Sequence, residues 1–218
     1  MFKVCIFDLD GTLADSLQSL AYCTNIALEA VGLKPNPVYM YKKFAGDGAK
    51  MMVQRSLIAA GDVDLKFYDK AREIHKKSYA EHSMYKVTAF DGIKELLQAL
   101  KKDGIKIAVL TNKPHERAID VVTSLFGEDC FDFILGQSDK FARKPSPEGA
   151  LIIADKFGAS PEECVYLGDT NTDMQTGKSA GMFTVGVTWG FRDREELIEN
   201  KADYIIDKPL ELLDLIKK

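Results

Sequence analysis

Two aspartates, Asp8 and Asp10, directly follow an apolar segment near the start of the chain. If Leu9 turns back toward the core, both carboxylates face one site. One can then attack as a nucleophile while the other transfers protons. A carboxylate that attacks phosphorus forms an aspartyl-phosphate, which divides one slow displacement into two easier steps. The pair predicts phosphoryl transfer, with Asp8 as nucleophile and Asp10 as general acid and base.

Groups suited to binding a phosphate occur in three loops. Thr111 offers a hydroxyl group, Asn112 a side-chain or backbone donor, and Lys144 a compact positive charge for the transition state. In the first loop, Gly11 leaves the backbone free to approach a phosphate, and Thr12 can hydrogen-bond within the turn. We therefore predict an anion-binding site and give Lys144 a catalytic role.

A third carboxylate, Asp169, predicts a metal ion. Asp8, Asp10 and Asp169 beside a phosphate dianion would repel the ligand and one another unless a cation lay among them. The motifs offer only oxygen ligands, so we expect Mg²⁺ to be bound by these three aspartates. Asp173 lies one helical turn after Asp169, where it can support the metal site or hold the ammonium group of Lys144. Thr12 is predicted to support the same ligands.

Each of these loops follows or lies among short apolar segments that are typical of buried strands. The predicted strands are 4–7, 105–111, 131–135, 164–167, 184–187 and 204–206. From residue 93 onward they alternate with helical patterns, which predicts an α/β fold with a doubly wound parallel sheet. Ligands of such sheets bind beyond the carboxyl ends of the strands, so the four loops are expected to meet at one edge.

A helical domain is predicted between the first loop and the rest of the sheet. Apolar residues recur at helical spacing after Asp15, and further helical patterns cover 38–44, 49–60 and 67–81. No strand is predicted among them. The predicted domains are therefore a core of residues 1–14 plus 86–218, and a helical domain of residues 15–85.

Several other residues with possible roles lie outside the four motifs. Gly46 and Gly48 flank Asp47 in a loop of the helical domain, where they are predicted to contact substrate. Trp189 and Arg192, beside Gly190, are interpreted as the anchor of a loop at a strand end. Arg55 is interpreted as a solvated charge in preference to a ligand, and Lys113 and Lys140 are interpreted as surface charges.

The composition limits the partners of the chain. Its 29 Lys and Arg residues and 33 Asp and Glu residues give a net charge of −4, spread along the chain without an acidic or basic tail, which argues against nucleic acid as a partner. No apolar run is long enough for a membrane span or a signal peptide, so we expect a cytoplasmic protein that binds no membrane. Its four cysteines form no Cys-x-x-Cys pair and are expected to be reduced.

Together the four motifs resemble those of the haloacid-dehalogenase-like hydrolases that carry a helical cap. The matching segments are 8–13 (DLDGTL), 111–112 (TN), 144–145 (KP) and 168–173 (GDTNTD). The resemblance spans the whole chain, and all four motifs are intact. Two further segments point to the phosphoglycolate-phosphatase-like members of the family. These are 44–48 (FAGDG) and 186–192 (GVTWGFR).

The resemblance implies an Mg²⁺-dependent phosphatase that acts on a small phosphorylated metabolite, with 2-phosphoglycolate favoured. It implies that Asp8 is both nucleophile and ligand, that Asp10 binds the metal through its carbonyl group, and that Asp169 supplies a second carboxylate. A sugar phosphomutase of the β-phosphoglucomutase type and a pyrophosphatase are the alternatives. A silent binding protein is disfavoured because buried like charges are costly without a metal. The expected protein is a monomer or homodimer.

Overall fold

The computed structural model describes residues 2–216, which form two compact units. The first unit, here named the sheet unit, extends to Ala14 and resumes at Ala89. The second unit, here named the helical unit, is Asp15–Thr88. The interpretation of these units as a catalytic core and a cap stays a prediction.

The strands are short and, apart from two, belong to the sheet unit. In chain order they are β1 (Val4–Phe7), β2 (Ala14–Asp15), β3 (Thr88–Ala89), β4 (Lys106–Pro114), β5 (Phe133–Gln137), β6 (Cys164–Gly168), β7 (Phe183–Val187) and β8 (Tyr204–Ile206). The two short strands β2 and β3 pair with each other where the chain passes between the units.

The other six strands form one parallel sheet in the order β5-β4-β1-β6-β7-β8. The chain therefore starts in the middle of the sheet and builds outward on each side, which is the strand order of a doubly wound α/β fold. The predicted fold class is confirmed. Because β1 lies between β4 and β6, the loops after these three strands are neighbours at one edge of the sheet.

Helices follow most of the strands and make up the helical unit. They are α1 (Leu17–Ala30), α2 (Tyr41–Phe44), α3 (Gly48–Ala59), α4 (Tyr68–His82), α5 (Ile93–Lys102), α6 (His115–Phe126), α7 (Glu148–Lys156), α8 (Asn171–Ser179), α9 (Arg194–Glu199) and α10 (Leu212–Ile216). Among residues 2–216, no helix combines the length and the apolar character that crossing a membrane requires.

The core of the sheet unit explains why β1 is a continuous apolar run. All four of its residues are fully buried, as expected for a central strand that is covered on both faces. On one face, Val4 and Ile6 pack in a single cluster with Ala150 and Ile153 of α7. This packing holds β1 against α7, directly before the first loop.

The helical unit has a separate apolar core. Ala27 and Leu28 of α1, Val53 and Leu57 of α3, and Ala71 of α4 are completely buried and form one cluster. With the partly buried residues that pack against them, such as Val31, Tyr68 and Ile74, these positions recur at three- and four-residue spacing, which gives each helix one apolar face. The three predicted helical segments that contain them are present, with ends that differ by a few residues.

Candidate functional site

Asp8, Lys144 and Asp173 form a buried ionic cluster at the carboxyl edge of the sheet. Asp8 directly follows β1, Lys144 lies in the loop between β5 and α7, and Asp173 lies in the first turn of α8. The Nζ atom of Lys144 is 2.7 Å from Oδ1 of Asp8 and 2.7 Å from Oδ1 of Asp173. The prediction that Asp173 holds the ammonium group of Lys144 is therefore confirmed.

Asp169 directly follows β6 and is fully buried beside this cluster. Its Oδ1 atom accepts a hydrogen bond of 3.0 Å from the hydroxyl of Thr12, and its Oδ2 atom accepts one of 2.8 Å from the backbone N–H of Phe191. A Cβ atom added to Gly11 would lie 2.3 Å from Oδ2 of Asp169, and a Cβ atom added to Gly190 would lie 2.4 Å from Cβ of Asp169. Both glycines are therefore required for the close approach of their loops to this carboxylate.

Burial and mutual repulsion change the ionisation of these groups. Burial raises the pKa of Asp8 from its ordinary value of 3.8 to about 7, although the charge of Lys144 opposes this effect. Burial and the charges of Asp173 and Asp8 raise the pKa of Asp169 well above its ordinary range. Burial lowers the pKa of Lys144, but Asp173 and Asp8 outweigh it and raise this pKa well above its ordinary range. Three carboxylates therefore share one ammonium group, and a cation bound among them would favour their ionised forms.

The predicted phosphate ligands Thr111 and Asn112 lie near the end of β4. Asn112 and Lys144 exchange two hydrogen bonds: Nδ2 of Asn112 donates to the carbonyl of Lys144 at 3.2 Å, and the N–H of Lys144 donates to Oδ1 of Asn112 at 2.9 Å. The Asn112 side chain thus fixes the backbone that carries Lys144. Thr111 is buried, and its Oγ1 atom accepts a hydrogen bond of 3.2 Å from the N–H of Lys113. Their contact with a phosphate stays a prediction.

Lys113 is a residue of the site that the sequence did not reveal. The prediction that it is a surface charge is wrong, because only 2% of its side chain is exposed and its Nζ atom lies 2.6 and 2.7 Å from the two carboxylate oxygens of Asp10. The physical reason is a register shift between β4 and β5, between Thr111 and Pro114, which changes the direction of the residues between them. Lys140 is exposed, as predicted.

The sequence and fold of this chain match known proteins. A family model described as haloacid dehalogenase-like hydrolase matches residues 5–187. The chain belongs to the haloacid dehalogenase-like hydrolases.

Relatives within this family match most or nearly all of the chain. A protein of Haemophilus influenzae named phosphoglycolate phosphatase is 32% identical over 221 residues, which cover 99% of this chain and 98% of the relative. Another with the same name, from Neisseria meningitidis, is 34% identical over 205 residues, or 92% of this chain and 87% of the relative. A crystal structure of a predicted phosphoglycolate phosphatase from Haemophilus somnus has a TM-score of 0.91 and 30% identity, and covers 98% of this chain and 97% of that one. This haloacid dehalogenase-like hydrolase is therefore a phosphatase-type enzyme, similar to the phosphoglycolate phosphatases, as predicted.

The acidic cluster of this hydrolase has the composition of a site for a hard divalent cation. Asp8, Asp169 and Asp173 each bring one carboxylate oxygen to within 4.8 Å of the others. Carboxylate oxygens that share one ammonium group fit Mg²⁺. The predicted ligands were Asp8, Asp10 and Asp169, and the structure places Asp173 with the first and third of these. The predicted contact of Asp10 through its carbonyl group stays a prediction.

The loop after β7 connects the first and fourth motifs through hydrogen bonds. Nε1 of Trp189 donates a hydrogen bond of 3.0 Å to the carbonyl of Thr12, while the N–H of Phe191 binds Asp169 as described above. Arg192 pairs with Glu196 at 3.1 Å, and the same Glu196 oxygen accepts the N–H of Asn171 at 3.2 Å. Trp189 and Arg192 are therefore loop anchors, as predicted.

Gly46 and Gly48 lie in the helical unit, and both have a positive φ angle, 108° and 80°. The loop that contains them is held by Arg55, which contacts Asp47 at 2.5 Å and the carbonyl of Phe44 at 3.0 Å. Arg55, which was interpreted as a solvated charge, keeps 33% of its side chain exposed, and its guanidinium group also closes this loop. The predicted contact of the two glycines with substrate stays a prediction.

Proposed function

We propose that this phosphatase hydrolyses the monoester of a small phosphorylated metabolite, with 2-phosphoglycolate as the first candidate. The proposal assumes an aspartyl-phosphate on Asp8, Mg²⁺ dependence, and action in the cytoplasm as a monomer or homodimer. The observation that carries it is the buried cluster at the edge of the sheet, in which a carboxylate at the end of β1 contacts a lysine. The names of the relatives support the choice of substrate.

In the first half of the proposed reaction, an oxygen of Asp8 forms a bond to phosphorus as the bond to the ester oxygen breaks. Asp10 donates a proton to that ester oxygen, so that it leaves as an alcohol. Lys144 already contacts Asp8 at 2.7 Å, so its charge is in place to stabilise the negative charge on the transferring group. Asp173 holds the other side of this ammonium group and fixes its position.

In the second half, a water molecule attacks the phosphorus of the aspartyl-phosphate. Asp10, now ionised, takes a proton from this water, and the bond between phosphorus and Asp8 breaks. Phosphate leaves and Asp8 is regenerated. Mg²⁺, when held by Asp8, Asp169 and the residues around them, supplies charge neutralisation for the phosphate. Asp169 is kept in place for this role by Thr12 and by the backbone of Phe191.

The test is phosphate release from 2-phosphoglycolate, pyrophosphate and β-glucose 1-phosphate, with Mg²⁺ or with a chelator. We expect Mg²⁺-dependent release that Asp8→Asn reduces by at least about 10⁴-fold, because this variant removes the nucleophile without changing its volume. Asp91→Asn, which changes an exposed aspartate of the same unit, is the matched control. Appreciable turnover by Asp8→Asn would contradict the covalent mechanism, and isomerisation of the sugar phosphate without release would indicate a mutase.

A further inference from the structure

Two lysines at the edge of the sheet hold two different aspartates of the first motif. Lys144 contacts Asp8, the proposed nucleophile, whereas Lys113 contacts Asp10, the proposed acid and base. The contact of Lys113 includes both carboxylate oxygens of Asp10, at 2.6 and 2.7 Å. A carboxylate held through both oxygens by one ammonium group has its rotation fixed as well as its position.

The burial of this pair is unequal. The Lys113 side chain is 2% exposed, while the Asp10 side chain is 19% exposed. The ammonium group is therefore enclosed by protein, and the carboxylate is the member of the pair that solvent reaches. A buried lysine costs free energy unless it is paired, so its position has to be maintained by the surrounding fold.

The backbone of β4 shows how Lys113 is maintained there. β4 pairs regularly with β5 as far as Thr111 and resumes pairing only at Pro114. Such irregularities redirect side chains and are common next to active sites. The N–H of Lys113 donates to the hydroxyl of Thr111 at 3.2 Å, which stabilises the irregular conformation.

We propose that Lys113 is a positioning residue that holds the Asp10 carboxylate in the orientation needed for proton transfer to the leaving group. This inference rests on the proposed function, in which Asp10 is the acid and base. Lys113 acts through Asp10. Its contribution should therefore depend on how strongly the leaving group needs a proton.

The experiment compares kcat/KM for two aryl phosphates in Lys113→Met. For phenyl phosphate, whose leaving group needs a proton, we expect a loss of about a hundredfold, as for a misplaced catalytic group. For p-nitrophenyl phosphate, whose leaving group is stable as an anion, we expect a loss of about threefold or less, because general acid catalysis then contributes little. Lys140→Met, which changes an exposed lysine, is the matched control, and Lys113→Gln is the second variant if Lys113→Met does not fold.

A double-mutant cycle gives the second readout. In an Asp10→Asn background, Lys113→Met should have no further effect on phenyl phosphate, because the group that it positions is already absent. Equal losses for both substrates, or additive losses in the cycle, would overturn the inference and indicate a general structural role. A rise in KM for both substrates with unchanged kcat would also overturn it and indicate phosphate binding.

Failure of the proposed function would be recognised separately, by turnover that does not depend on Asp8. Crystal structures of the unmodified protein and of Lys113→Met then decide the positioning role without reference to activity. We expect the Asp10 carboxylate to leave its position when Lys113 is replaced. An unchanged Asp10 carboxylate in Lys113→Met would overturn the inference.

Discussion

The two units of this protein bury polar side chains in different ways. At the edge of the sheet unit, opposite charges are buried together, as in the contacts of Lys144 with Asp8 and Asp173. In the helical unit, the buried polar side chains of the described residues are neutral types apart from Asp62, whose carboxylate accepts two backbone N–H groups. Buried His75 in that unit has no hydrogen-bond partner on either ring nitrogen.

This difference indicates where the fold tolerates an electrostatic cost. Removing ions from water costs several kcal/mol each, and a buried pair seldom recovers more than this. Such charges are expected where a reaction requires them, and strongly shifted pKa values therefore mark candidate active sites. A neutral buried histidine, by contrast, is compatible with packing alone. The predictions below test this contrast, beginning with the largest effect.

Replacement of Lys144 should have the largest effect on stability. Lys144→Met leaves the buried carboxylates of Asp8 and Asp173 without their shared ammonium group, so we expect the free energy of unfolding to fall by about 3–5 kcal/mol. Urea denaturation in the presence of a chelator measures this fall in the free energy of unfolding. Lys140→Met is the control at an exposed site. The double variant Lys144→Met/Asp173→Asn should recover part of the stability, and no recovery would contradict the ionic explanation.

Magnesium should raise the free energy of unfolding, whereas replacement of Lys144 should lower it. A ligand that binds only the folded state at about 100 times its Kd adds about 2.7 kcal/mol to the free energy of unfolding. We expect Mg²⁺ to raise the Tm accordingly, and Asp169→Asn to remove most of this increase. Thermal unfolding with Mg²⁺ or with a chelator measures both. The same increase in Asp169→Asn would mean that the ion binds elsewhere.

In the helical unit, His75 should make stability depend on pH. Burial, with a smaller contribution from Arg72, lowers the pKa of His75 from its ordinary value of 6.5 to about 4. As the pH falls, the unfolded chain therefore takes up this proton at a higher pH than the folded chain does. The contribution of neutral His75 to the free energy of unfolding is fully present above about pH 6.5 and is lost as the pH falls toward 4. Between about pH 7.5 and about pH 5 the expected loss is about 2 kcal/mol.

Urea denaturation of His75→Leu and of the unmodified chain at several pH values measures this contribution. It is the part of the pH dependence of the free energy of unfolding that is absent in the variant. The matched control is His82→Leu, because His82 lies on the same helix with 41% of its side chain exposed. His82→Leu should leave the pH dependence nearly unchanged. If both variants showed the same profile as the unmodified chain, the neutral burial of His75 would not be a source of acid sensitivity.

The smallest effect is expected at Trp189. Trp189→Phe removes the hydrogen bond to the Thr12 carbonyl but retains an aromatic ring. We therefore expect the free energy of unfolding to fall by about 1 kcal/mol. Because Thr12 also binds Asp169, a modest weakening of Mg²⁺ binding should accompany this loss. Calorimetric titration with Mg²⁺ measures it. Tighter binding in the variant would contradict a supporting role for the loop.

The sequence predicted those features that depend on local pattern. The apolar runs identified all six strands of the sheet, and the order of the motifs after them predicted that Asp8, Lys144 and Asp169 would meet at one edge. The position of Lys113 could not be predicted, because it depends on a register shift between two strands and not on any property of its own segment. The contacts of Arg55 with Asp47 and the Phe44 carbonyl were not predicted either, because they depend on the conformation of the turn between α2 and α3.

The strand that leads to Asp8 precedes the other five strands of the sheet in the sequence but lies in the middle of the sheet. Val4 is paired with Lys106 on one side and with Cys164 on the other. During translation, roughly a hundred further residues must therefore be added before the first strand that pairs with β1 has been made. Contacts of such long sequence separation form slowly. The helical unit is complete before then and can fold while β1 is still unpaired. A chain released before β6 would have neither Asp169 nor a second neighbour for β1, so fragments of this enzyme should be inactive and prone to aggregation.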